Sequence, residues 1–318
     1  MPRKKTTRPR SRLVLLLFSL GILAAAAAVA AIIFFATLPS VKPLRERSTT
    51  VTIQVRDWQG KTHPFAVGPK NRYWTPVGRL PRSLKQAVVV AEDGNFYQHQ
   101  GVDVPALKEA IRYNWEHQRL ARGASTITQQ LAKNLFLSRE KSFVRKFREL
   151  AITRALEQEL SKERILELYL NLVELGPLVH GVGHGARFYF GKPPAELTAR
   201  ESAFLAAMLP GPRIAYNPYR NLRRTEKRTD HILRLMRQTG ALSEEAYQLA
   251  LAETLNIAGL ERKVQQTLEI PALAVPGDGV GDSSAEKIEE AEDTEAAEEV
   301  VDPEPESSLD ASVDGALP

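Results

Sequence analysis

The sequence predicts a mainly α-helical protein behind one N-terminal transmembrane helix. Three observations point there. Residues Leu13 to Leu38 carry no charge, and only Ser19, Gly21 and Thr37 interrupt the apolar run. Apolar residues recur near a 3.6-residue period through most of residues 83–253. Residues that cap helices stand just ahead of several of those runs.

The uncharged run has 26 residues. A membrane span needs about 20, at roughly 1.5 Å per residue, so this helix crosses the hydrocarbon with some tilt. A cleaved signal peptide has an apolar region of about 7–15 residues, and Ala36-Thr37-Leu38 makes a poor cleavage site, so a retained anchor is expected over 13–38. Pro39 closes it. Residues 1–12 carry six positive charges and are expected to stay in the cytoplasm. Everything after Pro39 then lies on the outer or periplasmic side.

Charge is distributed unevenly. Residues 276–318 hold fifteen carboxylates and one lysine; with the +6 of residues 1–12 and a total of +5, residues 13–275 carry +13. A basic middle suggests an anionic partner. The external placement argues against nucleic acid and leaves anionic lipid or a phosphorylated substrate. There is no cysteine, which excludes a disulfide framework and a Cys-ligated zinc site.

Along the chain, residues 39–72 read as a juxtamembrane segment. Val51–Val55 alternate in polarity and predict a short strand. Helices are expected over Ser83–Glu92, Val104–Glu116, Ser125–Phe136 and Phe143–Leu160, and over the stretch that Ser161 caps. Further helices are expected after the capping box Thr198/Glu201, over Arg223–Arg237 and over Ser243–Glu253. The basic stretch Gln118–Arg122 is expected to be poorly ordered without ligand. Residues 256–275 read as a linker, and 276–318 as an acidic disordered tail.

Three stretches hold polar residues that a packed helical domain does not require. In the first, the apolar run Ala87–Ala91 ends in Glu92-Asp93, with Phe96, His99 and Gly101 following. A carboxylate at the end of a buried helix can have its pKa raised and serve acid/base chemistry. Taken alone, the pair reads rather as an ordinary solvated helix end. The second stretch is Gly123-Ala124-Ser125-Thr126-Ile127-Thr128-Gln129-Gln130, with Lys133 and Asn134 behind it. A glycine and small hydroxyl residues at a helix start offer N–H groups to an anion; the plainer reading is an N-cap with a polar face. In the third, Arg145-Lys146-Phe147-Arg148-Glu149, Arg145 and Glu149 share a helix face. They form either a surface ion pair or a phosphate clamp beside a second carboxylate.

In this order and spacing the three stretches resemble the signature motifs of the family 51 peptidoglycan glycosyltransferases. Two further stretches match: Lys162 through Asn171, and Tyr189-Phe190-Gly191-Lys192 followed by Tyr216-Asn217-Pro218. The resemblance covers residues 73–255 and extends to the glycosyltransferase domain of class A penicillin-binding proteins. It implies a lysozyme-like, two-lobed fold with a cleft, and lipid II as substrate.

The same resemblance implies roles. Glu92 is the general base and Glu149 the second catalytic carboxylate, organising cations or a divalent ion. Asp93, Phe96, His99, Gly123, Ser125, Thr126, Gln129, Gln130, Lys133, Asn134, Arg145 and Lys146 bind substrate. No cofactor is firmly implied, though a Mg or Mn ion at the pyrophosphate fits the chemistry. The implied partners are lipid II, the growing glycan strand, the membrane and other cell-wall synthesis proteins.

Two positions depart from the family pattern. Ala124 stands where a second glycine is common. Gly183-His184-Gly185 replaces an acidic, alanine-rich stretch and is expected to loosen the helix ahead of Tyr189. Ser138/Lys141 and Ser284/Lys287 have nucleophile-motif spacing but lack the companion motifs of a transpeptidase, so a monofunctional chain is expected. His180 and His184 are four apart, but Gly181 and the glycines after it speak against a zinc hydrolase helix. The rival functions are a lysozyme-like cleaving enzyme, disfavoured by the cationic clamp, and a non-catalytic membrane scaffold, disfavoured by the presence of both carboxylates.

Overall fold

The computed structural model describes residues 9–57, 59–118, 123–137 and 142–260. The expected disordered tail, most of the linker, Arg119 to Arg122 of the expected loop and the two Ser-x-x-Lys matches lie wholly or partly outside these residues.

Helix α1 spans Pro9–Ala36, and its segment Val14–Ala36 is long and apolar enough to cross a membrane. Leu15, Phe18 and Leu23 stand exposed on it. The Ser19 and Thr37 hydroxyls donate back to the Leu16 and Phe34 carbonyls (2.9 and 3.0 Å), so the two polar interruptions are satisfied by carbonyls of the helix.

The segment after it is a folded part of the protein. Strands β1 (Val51–Arg56) and β2 (Thr62–Val67) form an antiparallel hairpin with Val51 opposite Val67. The sequence pattern shows only β1, because His63-Pro64 breaks the alternation of β2. A two-stranded ribbon tolerates Pro64 because both of its strands are edges. Val41, Leu44 and Val67 are buried in the same core as the helices, which removes the expected boundary between a juxtamembrane segment and a domain beginning at 73.

The helices of the main body are α2 (Arg82–Glu92), α3 (Val104–Glu116), α4 (Ile127–Phe136), α5 (Phe143–Glu159), α6 (Lys162–Leu172), α7 (Val182–Phe190), α8 (Ala199–Met208), α9 (Pro218–Gln238) and α10 (Glu244–Ala252). A small ribbon, β3 (Glu174–Gly176) and β4 (Val179–His180), precedes α7. One group packs α2, α8, α9 and α10 together; a second packs α4 on α5 and α6. Both share one continuous apolar core, in which Leu84, Leu131, Leu156, Ile165 and Phe204 are fully enclosed. Enclosing one such side chain contributes about 1.5–3 kcal/mol. Helix α8 is buried along most of its length, and the reciprocal Thr198/Glu201 capping box starts it as the sequence predicts.

Three local outcomes differ from expectation. Helix α4 begins after Thr126, because Thr126 and Gln129 form the capping box and Ser125 stays outside. Helix α9 begins at Pro218, capped by Asn217, and breaks at Asn221; the predicted Arg223–Arg237 is the part beyond the break. Gly183 and Gly185 do not loosen α7. A Cβ on Gly183 would collide with the Tyr73 carbonyl, and one on Gly185 would meet Leu175 Cδ1 at 2.5 Å. These glycines let the helix close against its neighbours, a gain in packing that outweighs the roughly 1 kcal/mol propensity cost of each. His180 and His184 pack separately, against Phe65 (5.1 Å) and Tyr73 (4.3 Å).

Candidate functional site

The site is built around Glu92, the last residue of α2. Its Oε2 accepts a hydrogen bond from Gln130 Nε2 on α4 (2.9 Å). The Gln130 carbonyl oxygen accepts from the Tyr169 hydroxyl on α6 (2.9 Å). Tyr169 is enclosed, and burial pushes its phenol well above the usual range, so it stays a donor. That donor fixes which way the Gln130 amide points and so presents its NH₂ to Glu92. On the other side the Arg228 guanidinium of α9 lies 3.8 Å from Glu92 Oε1. Burial raises the Glu92 pKa; the Gln130 hydrogen bond and the charges of Arg228 and Lys133 oppose the rise in part, while Asp93 adds to it.

Asp93 holds the architecture. Its Oδ2 accepts from the Ile127 backbone N–H (2.9 Å), and its Oδ1 pairs with His99 Nε2 (2.8 Å). Thr126 Oγ1 donates to the Gly101 carbonyl (2.7 Å). Gly101 has φ +92°, and a Cβ there would meet Thr153 Cγ2 at 2.6 Å, so only glycine lets the loop press against α5. The start of α4 therefore already holds an anion, the Asp93 carboxylate, alongside its capping box. It is not an open cradle for substrate phosphate.

The residues expected to bind substrate consequently divide. Phe96 is enclosed under the ring-stacked cation of Lys162 (4.5 Å) and belongs to the core. Asp93, Thr126 and Gln129 are buried and committed to internal hydrogen bonds, and the His99 side chain is almost enclosed against Asp93. These five position the site because folding has already used their polar groups and surface. Gly123 and Ser125 are exposed ahead of α4. Gln130, Lys133 and Asn134 line a cleft of about 1130 Å³ together with Arg145, Tyr169 and Tyr216; the hairpin strand β1 and residues 209–215 form its other walls. Glu92 keeps a tenth of its side-chain surface and lies one hydrogen bond behind that lining, at Gln130.

The third motif sits on the first turns of α5. Glu149 is buried and receives Lys146 Nζ (2.5 Å) and Arg145 Nη1 (3.3 Å). The carboxylate holds two cations side by side, and Arg145 reaches the cleft. Among the described residues no group of three or more metal-ligating side chains gathers. With two cations already on Glu149, the donor set does not fit a protein-held divalent ion.

The fourth motif is structural. Glu167 Oε2 accepts from Arg47 (2.7 Å) and from the Val77 N–H (2.8 Å), while Arg164 pairs with its other oxygen. Asn171 exchanges two hydrogen bonds of 2.8 Å with the Thr75 backbone. Arg213 binds Glu174 (2.6 Å) and the Asp57 carbonyl (3.0 Å), fastening the hairpin across the cleft. Sequence reasoning did not single out Arg228, Tyr169, Tyr216 or Arg213 as site residues. Tyr169 and Tyr216 lay inside quoted motifs; nothing local to Arg228 or Arg213 distinguishes them from the other arginines.

Comparison with known proteins places the chain in a family. A biosynthetic peptidoglycan transglycosylase from Bordetella avium is 49% identical over 168 residues, 52% of this chain and 70% of that protein. Penicillin-binding protein 1A of Neisseria lactamica is 38% identical over 253 residues, 80% of this chain and 31% of that protein. The chain thus spans about a third of the length of the penicillin-binding protein 1A relatives it matches. The crystal structure of penicillin-binding protein 1A from Haemophilus influenzae aligns with a TM-score of 0.36 at 25% identity, covering 69% of this chain and 24% of that one. The transglycosylase family model matches residues 60–237, more than half of the chain. By that match and the Bordetella relative, this chain belongs to the transglycosylase family.

Proposed function

We propose that the protein is a peptidoglycan glycosyltransferase that polymerises lipid II into β-1,4-linked glycan. The observation that carries this reading is a buried carboxylate, Glu92, oriented by a fixed amide beside a cleft lined with Lys133 and Arg145. Glu92 takes the proton of the acceptor sugar's 4-hydroxyl. That oxygen attacks the anomeric carbon of the lipid-linked donor; the bond to pyrophosphate breaks, undecaprenyl pyrophosphate leaves, and the configuration inverts from α to β. Lys133, Arg145 and Lys146 offset the charge of the departing pyrophosphate, and Glu149 holds the latter two in place. A cleaving enzyme of similar shape would have no use for such a cluster.

The orientation follows the charge ahead of α1, with the basic N-terminus inside and the catalytic body outside. Two apolar surfaces support a body resting on the membrane: Val104, Leu107, Ile111 and Trp115 on one stripe of α3, and Phe143, Val144 and Phe147 on α5, all exposed. Arg148 of α5 donates to the Thr37 carbonyl (2.9 Å) just past α1, which keeps this surface beside the anchor. A lipid-linked substrate would reach the cleft without leaving the bilayer. The test is polymerisation of labelled lipid II by detergent-solubilised protein, with Glu92→Gln as the control. Polymer formed equally by both proteins would overturn the assignment.

A further inference from the structure

Four elements enclose the Glu92 carboxylate. Helix α4 brings Gln130 and Lys133, α6 brings Tyr169, α9 brings Arg228, and the residue after α2 is Asp93. Helix α8 meets α2 through Ser202 and Ser83 (3.1 Å). The two carboxylate oxygens are treated differently. Oε2 is taken by Gln130 at hydrogen-bond distance. Oε1 faces Arg228 at 3.8 Å, beyond a hydrogen bond but within strong Coulomb range.

Arg228 is itself anchored. Its guanidinium lies over the Tyr216 ring at 5.2 Å, and Arg224, one turn earlier, lies over the same ring at 5.0 Å. Its side chain is about nine-tenths buried. A guanidinium does not lose its proton in a protein, so this is a permanent positive charge. A general base enclosed as Glu92 is must remain ionised and must also keep one oxygen open to the acceptor hydroxyl. A cation bonded directly to Oε1 would meet the first need and defeat the second.

Given that Glu92 is the base, we infer that Arg228 is a positioning residue for it, a fixed charge that keeps the carboxylate ionised while leaving Oε1 to the substrate. Burial acts against ionisation, so removing the charge leaves that effect less opposed.

The experiment is the pH dependence of kcat for lipid II polymerisation by the full chain in detergent, comparing wild type, Arg228→Lys, Arg228→Met, Arg228→Gln and Glu92→Gln. With Met or Gln at 228 the acid limb should move to higher pH by about one unit or more. Turnover below the limb should drop about tenfold per unit and recover at alkaline pH. Lysine, which keeps the charge, should hold the limb near its wild-type position. Met and Gln profiles that are lowered by the same factor at every pH would overturn the inference and leave Arg228 a packing residue. A raised KM with an unmoved kcat profile would also overturn it, making Arg228 a substrate contact. Thermal melts identify variants that do not fold; if both neutral variants fail, a carboxyl-carbon NMR titration of Glu92 in the lysine variant and wild type decides, and a midpoint that moves by more than a unit despite the retained charge would refute the role. Glu92→Gln separates the two readings. Full activity in that variant overturns the base assignment itself, whereas an inactive Glu92→Gln with unshifted Arg228 variants overturns only the role of Arg228.

Discussion

The end of α2 and the start of α5 each bury one glutamate, and the two environments are opposite. Glu92 has a neutral amide at 2.9 Å and, among the described residues, its nearest cation at 3.8 Å. Glu149 has two cations, at 2.5 and 3.3 Å. A carboxylate that lacks a close cation retains affinity for a proton, and burial has raised that affinity at Glu92. One surrounded by cations has its lone pairs engaged and serves to hold them. Residue type and burial are nearly the same at both places; the partners decide which is suited to take a proton and which to organise charge.

The strongest test of this contrast is to remove each carboxylate in turn. Glu92→Gln keeps the shape and the Gln130 neighbourhood but cannot accept the acceptor proton. Polymerisation should fall about 10²–10⁴-fold with little change in KM, as read by initial rates on lipid II. Glu149→Gln should act differently. Arg145 and Lys146 lose their shared anchor, so KM should rise about tenfold, and the fold should lose about 1–2 kcal/mol in denaturant titration. That figure is set below the 3–5 kcal/mol of a fully buried pair because Lys146 is nearly half exposed. If the Glu149 variant showed a kcat loss as deep as that of Glu92→Gln with KM unchanged, the division of roles would fail.

A smaller effect concerns the amide that orients the base. Tyr169→Phe leaves the Gln130 carbonyl oxygen without its donor and lets the amide turn. About 1–2 kcal/mol of stability should be lost, with a several-fold drop in kcat. Unchanged melting and unchanged turnover would show that the Tyr169 hydroxyl does not control Gln130.

The subtlest effect is on stability against pH. The folded pKa of Glu92 lies above its unfolded value, so the native state holds the proton to higher pH than the unfolded chain does. Stability therefore falls as pH rises from the unfolded carboxylate range through the raised folded pKa, and the penalty stays constant above it. Glu92→Gln removes the penalty. It should melt higher than wild type at neutral and alkaline pH, and the gain should vanish at pH below the ordinary carboxylate range. A gain of equal size at both extremes would trace to packing and not to ionisation.

Much of the fold was legible in advance, for identifiable reasons. Helix starts at Ser161 and Thr198 followed from caps whose hydrogen bonds are local. What local rules missed depended on contacts far along the chain. Strand β2 pairs with β1 despite Pro64, residues 39–72 join the core through Glu167 and Arg164, and Gly183 is required by Tyr73, a partner 110 positions earlier. The site divided in the same way. Motif order pointed to Glu92, Lys133, Arg145 and Glu149 without showing that Asp93 would fill the start of α4 or that Arg228 would come within 3.8 Å of the base.

By itself the sequence determined the uncharged N-terminal helix, the helical character of the body and the family motifs, because hydrophobic period, capping and residue chemistry are properties of short stretches. Only the tertiary structure decided which polar residues were spent on holding the loops and which faced the cleft. It also decided that burial raises the affinity of Glu92 for a proton. A pKa depends on which charges and donors lie within a few ångströms, and at Glu92 these come from residues 38, 77 and 136 positions along the chain.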